Sequence, residues 1–126
     1  MGVLTRIKED LGLPTTSLTV RLTDTSTGAP AVGVHLGVTA PDGHILRGRT
    51  DESGQARVDD GLLPGHHRII LETAGWFGAH DRSCGYGDIA IEVEVATGRS
   101  HDVLVAIANY AYTVTLEPHA YEVPAG

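Results

Sequence analysis

Apolar and polar residues alternate with period two along most of this chain, and the longest such stretch is HDVLVAIANYAYTVTLE, from His101 to Glu117. Alternation of this kind marks a strand with one face buried and one face open. The stretch predicts two strands joined at a tight corner near Asn109, Tyr110 and Ala111. Val103, Val105 and Ile107 on one strand, and Tyr112, Val114 and Leu116 on the next, are predicted to face a core. The opposite side carries Asp102, Leu104, Ala106 and Ala108, then Thr113, Thr115 and Glu117. That set is too small and polar for a core, yet too orderly for random surface, so it is the first candidate for a working face.

The same period recurs upstream. Leu18, Val20 and Leu22 alternate with Thr19, Arg21 and Thr23, which makes a first strand with Arg21 on its polar side. TSTGAP is a turn cluster. A second strand over 33–40 points Val34, Leu36 and Val38 inward and His35 outward. Pro41-Asp42-Gly43 turns the chain into a third strand over 44–50. Asp51-Glu52-Ser53-Gly54 turns it again into a short fourth, 55–58. The fifth, 66–72, is apolar on both faces at Ile69-Ile70-Leu71 and is predicted to be well covered. TAGWFGAHDRSCGYG has no period and is predicted to be one short helical turn or compact loop, with Trp76 and Phe77 plugging the end of the domain. DIAIEVEV, 88–95, is a sixth strand with Glu92 and Glu94 outward.

Eight short strands with one excursion between the fifth and sixth predict an all-β sandwich of two four-stranded antiparallel sheets. Residues 1–16 are read as an arm, 17–118 as the domain and 119–126 as a tail.

Composition narrows the function classes. The chain has 126 residues, enough for one domain with a core that needs no disulfide or metal. Nine Lys and Arg against 16 Asp and Glu give a net charge of -7, with no basic cluster, which argues against nucleic acid. No long apolar run or signal-peptide pattern occurs, so the expectation is a cytoplasmic protein without a membrane partner. The single Cys84 cannot form an internal disulfide. His66 and His67 are adjacent in a strand and point to opposite faces, while His35, His44, His80 and His119 show no ligand spacing. No metal and no cofactor are expected. Cys84 near His80 and Asp81 superficially resembles a nucleophile with its base, but a lone loop cysteine is read as a bystander.

The order LTVRLTDTSTGAPAVGV, RTDESG, LLPGHHRIILETAGWF, IAIEVEV and HDVLVAIANYAYT resembles the transthyretin and 5-hydroxyisourate hydrolase family over roughly residues 17–117. The D-T-x-x-G-x-P-A turn and the Y-x-Y-[ST] corner carry the match. The resemblance implies a transthyretin-like sandwich, a homotetramer built as a dimer of dimers, and a small-molecule site where two dimers face each other across a channel. It also implies a departure from the hydrolases. Where they carry a His in the first strand, an Arg after the D-G turn, the second His of a His-x-His and a terminal Tyr-Arg-Gly-Ser, this chain has Arg21, Gln55, Asp102 and Thr115-Leu116-Glu117-Pro118. Hydrolysis of 5-hydroxyisourate is therefore not expected. Transthyretin, a hormone-binding protein, carries a Lys where Arg21 stands.

The polar face still holds chemistry. Arg21, Asp102 and Glu117 are the candidate catalytic residues, because two carboxylates in unlike environments can serve as acid and base beside an Arg that binds an anionic or carbonyl oxygen. Thr19, Thr23, Gln55, Leu104, Thr113 and Thr115 are the candidate ligand-binding residues, and His101 and Tyr110 are further candidates at the strand's mouth and corner. A bland alternative makes Arg21 and Asp102 a cross-strand ion pair. The favoured reading is a re-purposed enzyme performing hydrolysis, cyclisation or isomerisation on a small cyclic or carbonyl-bearing metabolite. A non-catalytic carrier using the same channel and an assembly scaffold without ligand are the alternatives.

Overall fold

The computed structural model describes residues 16–59 and 61–119. The expected arm and tail, apart from Thr16 and His119, lie outside the described residues. The strands are β1 (Ser17–Asp24), β2 (Ala29–Pro30), β3 (His35–Thr39), β4 (Ile45–Arg49), β5 (Gln55–Val58), β6 (Gly65–Leu71), β7 (Ile89–Val95), β8 (Ser100–Ile107) and β9 (Tyr112–His119). Among the described residues one helix, α1 (Thr73–Ala79), stands between β6 and β7.

The strands form two sheets. One runs β2-β1-β8-β9, with β5 also paired to β1, and the other runs β4-β3-β6-β7. The ninth strand beyond the eight expected is the two-residue β2, which shares one edge of β1 with β5: β2 pairs Thr23 and Asp24, β5 pairs Leu18 to Arg21. The two short strands meet at Leu22, whose N–H donates to Gly54 O at 2.8 Å and whose carbonyl accepts from Ala31 N at 3.0 Å. The first sheet is also mixed rather than purely antiparallel, because β1 and β8 run parallel over their full length. Every other pairing is antiparallel.

Period two decides what fills the space between the sheets. Leu18, Val20 and Leu22 of β1 meet Val103, Val105 and Ile107 of β8, and across the gap lie Leu36, Val38, Ile69, Leu71, Ile89 and Ile91. Each such side chain, when fully covered, contributes roughly 1.5–3 kcal/mol through burial. The alternation weakens at the rim. Val114 of β9 packs on the core, but Tyr112 and Leu116, which point the same way, are 42% and 46% exposed. The reason is position: β9 is the last strand of its sheet.

The aperiodic excursion contains α1, whose buried residues are Thr73, Trp76 and Phe77. Trp76 Nε1 donates to Val32 O at 2.8 Å, and Phe77 is fully buried, so both aromatics close the sandwich end as expected. Among the described residues no helix is long and apolar enough to cross a membrane.

Candidate functional site

The outer face of the first sheet collects the candidate residues in rows. Registers between neighbouring strands align Gln55, Arg21, Leu104 and Thr115 in one row. Two residues along each strand, Arg57, Thr19, Asp102 and Glu117 form the next, and on the other side Thr23, Ala106 and Thr113 form a third. Residues at the same height on neighbouring strands share a face and are about 5 Å apart, with diagonal neighbours at about 7–8 Å. Asp102 and Glu117 are therefore direct cross-strand partners, and Arg21 is a diagonal neighbour of Asp102.

Arg21 is exposed and forms no ion pair among the described residues. It borders a shallow depression of about 310 Å³, whose other walls are Thr23, Leu104, Val105, Ala106, Thr113 and Thr115. One cation sits there in a setting of hydroxyls and small apolar groups. Asp102 and Glu117 border a different depression of about 180 Å³, together with Val93, Glu94, His101 and Leu116. This second space opens between β7 and β9, the last strand of each sheet. Gln55 belongs to neither and borders a third, on the far side of β1, with residues of β4. Thr19 is buried.

Two candidates occupy other positions. His101 points inward and is 5% exposed. Its Nδ1–H donates to Ser17 O at 3.0 Å, and its Nε2 accepts from Ala96 N at 3.1 Å. Both ring nitrogens are thus spent on the backbone, stitching the β7–β8 turn to the start of β1. Tyr110 is 74% exposed at the β8–β9 corner, the opposite end of β8 from Asp102. Neither is therefore placed to exchange protons with a ligand on the Arg21 face.

The corner is held by residues that the alternation does not flag. Arg82 Nη1 donates to Asp24 Oδ2 at 2.6 Å, and Nη2 donates to Asn109 Oδ1 at 2.7 Å, while the guanidinium lies 4.8 Å from the centre of the Phe77 ring. Gly85 N donates to Asn109 O at 2.7 Å, and Tyr86 Oη donates to Ala108 O at 2.9 Å. Burial pushes the Tyr86 phenol up to about 12, which keeps it a donor. The excursion thus clamps the β8–β9 corner. No spacing rule points to Arg82, because its partners are 58 and 27 residues away.

The remaining titratable groups have local roles. His66 and His67 do split between faces: His66 is exposed between Glu92 and Glu94, and His67 is fully buried. Hydrogen bonding to Glu92, then to Glu94, raises the His66 pKa above its ordinary value. Cys84 Sγ lies 3.6 Å from Gly87 O, and His80 Nδ1 donates to Trp76 O at 2.7 Å, so each is engaged with backbone rather than with the other.

A family model for transthyretin, described as the HIUase/Transthyretin family, matches residues 11–115. The chain belongs to the HIUase/Transthyretin family. Among solved structures it is similar to 5-hydroxyisourate hydrolase from Klebsiella pneumoniae, at 25% identity and a TM-score of 0.71, over 81% of this chain and 93% of that one. Sea bream transthyretin in complex with thyroxine aligns at 21% identity and a TM-score of 0.70, over 79% of this chain and 93% of that one. Transthyretin from Sparus aurata aligns at 20% identity and a TM-score of 0.71, over 82% and 97%. The two transthyretin alignments speak to the fold alone. No curated protein sequence matches the chain. The transthyretin-like sandwich read from the sequence is the fold of the molecule.

Proposed function

We propose that the outer face of the β5-β1-β8-β9 sheet is a small-molecule site completed by further copies of the chain, and that it carries acid–base chemistry other than 5-hydroxyisourate hydrolysis. The observation that carries this reading is the register that sets Asp102 opposite Glu117 with Arg21 one strand over. Arg21 binds an anionic or carbonyl oxygen of the ligand through charge-assisted hydrogen bonds. The carboxylate nearer Arg21 acts as the base. The other, farther from that positive charge, acts as the acid. Hydrolysis, ring closure and isomerisation of a small cyclic or carbonyl-bearing metabolite all need that pair of proton transfers.

Assembly supplies what one chain lacks. A depression of about 310 Å³ that is open to water weakens every electrostatic contact within it, and a facing copy would exclude that water. We take the assembly to be a homotetramer, a dimer of dimers, as the family resemblance implies, with the site between dimers. A second reading, a carrier that binds without turnover, is favoured by one specific feature: the carboxylates border a neighbouring depression rather than the one that holds Arg21. In the assembled channel the two depressions would have to merge for catalysis. One of the solved relatives is a hydrolase and another holds thyroxine, so this architecture serves both ends.

The test is incubation of the whole chain with a pool of small cyclic and carbonyl-bearing metabolites, read by mass spectrometry. Arg21→Ala, Asp102→Asn and Glu117→Gln are run beside it. Consumption of one compound should fall by about 100-fold or more in the carboxylate variants, the usual scale for loss of a positioned acid or base. Equal consumption in all variants removes the site, and retention without consumption favours the carrier.

A further inference from the structure

At the edge of the sandwich opposite β7 and β9, strands β4 and β5 leave a groove of about 260 Å³ between the two sheets. Its floor is apolar: Leu36, Leu46, Ala56 and Val58 all border it. Leu36 is buried, and the other three are partly buried against the core. One residue helps to keep the groove open. Gly48 pairs with the inward Leu36, so it stands on the inward face of β4 where a side chain would otherwise fill the space. A Cβ built there would meet nothing within 4 Å, and Gly48 has no left-handed φ that would demand a glycine.

The rim is as distinctive as the floor. Arg47, Arg49 and Arg57 border the groove, three of the nine basic residues in a chain of net charge -7. Arg57 is committed to Asp59, with Nε 3.0 Å from Oδ2. Arg47 and Arg49 form no ion pair among the described residues. The one acidic group on the rim among the described residues, Asp51, does not answer them, because its Oδ1 accepts from Ser53 N at 2.9 Å, Ser53 Oγ at 2.7 Å and Gln55 N at 3.0 Å. Those bonds hold its carboxyl below the usual range, Gln55 N–H contributing most. Arg47 and Arg49, on either side of Gly48, thus bring two guanidinium groups to the strand that edges an apolar slot.

We propose that this groove is a second binding site, separate from the Arg21 face, for a compact organic anion: a carboxylate or phosphate attached to one apolar ring-sized body. The ring enters the slot that Gly48 leaves and lies on Leu36, Leu46 and Val58. The anionic group stays at the rim, where Arg47 and Arg49 hold it through charge-assisted hydrogen bonds. Size supports a small ligand, since an apolar cavity of about 150 Å³ already accepts benzene. Walls from both sheets enclose the groove on two sides, which suits a compact body better than an added strand that would run along β4 alone.

Titration calorimetry on the whole chain tests this with phenyl phosphate and benzoate. Benzyl alcohol serves as the uncharged probe and inorganic phosphate as the anion without an apolar body. Both aromatic anions should bind at least tenfold more tightly than either comparison compound. Arg47→Gln combined with Arg49→Gln, both at exposed positions, should weaken them at least tenfold. Gly48→Leu, which fills the slot and keeps every charge, should abolish binding with no loss of unfolding midpoint. The proposal is overturned if the unaltered chain binds neither aromatic anion, or if inorganic phosphate binds as well as phenyl phosphate. It is equally overturned if an acidic peptide binds where the aromatic anions do not, or if binding survives the double substitution and disappears in Arg21→Ala, which would put the probe on the other face.

Discussion

Arg82 joins three parts of the chain that are distant in sequence: Asp24 at the end of β1, Asn109 at the β8–β9 corner and the Phe77 ring of α1. The Asp24 side chain is only 4% exposed, so its carboxylate depends on that guanidinium and on Ser26 N–H for stabilisation. The Arg82 hydrogen bond is the largest influence lowering the Asp24 pKa. A depressed carboxyl pKa contributes stability above its unfolded value, about 3.9, and that contribution is lost as pH falls through the folded value. Urea unfolding midpoints should therefore decline as pH drops below about 4. Asp24→Asn should lower the midpoint at pH 7 and flatten part of that acid slope; Asp51, also depressed, supplies another part. An unchanged acid slope in Asp24→Asn would remove the pair from this account. Gly54 is fixed by a different cause: its φ is +78, and a Cβ there would lie 2.5 Å from Leu22 O and 2.9 Å from Pro30 Cβ. Left-handed backbone costs a residue with a Cβ about 1–2 kcal/mol, and the clash adds to it. Gly54→Ala should cost more than about 2 kcal/mol by equilibrium denaturation.

At the scale of elements, α1 depends on where it docks. It has seven residues, and its N-cap Glu72 makes no side-chain cap. A helix this short is marginal on its own, and its stability comes from packing. Phe77→Ala should cost about 3–5 kcal/mol. Trp76 is the only tryptophan, so its emission should shift to the red as its tie to Val32 O loosens. An unshifted emission with unchanged stability would mean that α1 does not close the sandwich end. The same weakness explains why TAGWFGAHDRSCGYG gave no periodic signal, whereas β1, β3, β7 and β8 were legible from alternation and β6 from its apolar centre. The two residues of β2 were too few to alternate. The parallel pairing of β1 with β8 joins residues more than 80 positions apart and leaves no local trace. Within the candidate site, alternation showed which residues share a face with Arg21, and the hairpin implied that Asp102 meets Glu117. It carried no information on shape, and so did not reveal that Arg21, the two carboxylates and Gln55 border three separate depressions. Nor did it show that His101 turns both ring nitrogens to the backbone.

For the whole molecule, the two ends of the strand order differ in character. The β9 edge exposes Leu116 beside the carboxylate pair and Tyr112 near the β8–β9 corner, whereas the β4 and β5 edges carry arginines that border an apolar slot. Exposed apolar side chains along an unpaired edge strand favour association with another chain. Arg21 lies on the broad face between those edges, where a facing copy would enclose it. The most direct measurement is native mass spectrometry of the whole chain and of Arg21→Ala after exposure to the same metabolite pool. The account predicts a tetramer that retains a small ligand, and a variant tetramer that retains it at least tenfold less. A monomer, or a tetramer whose ligand is indifferent to Arg21→Ala, would contradict it.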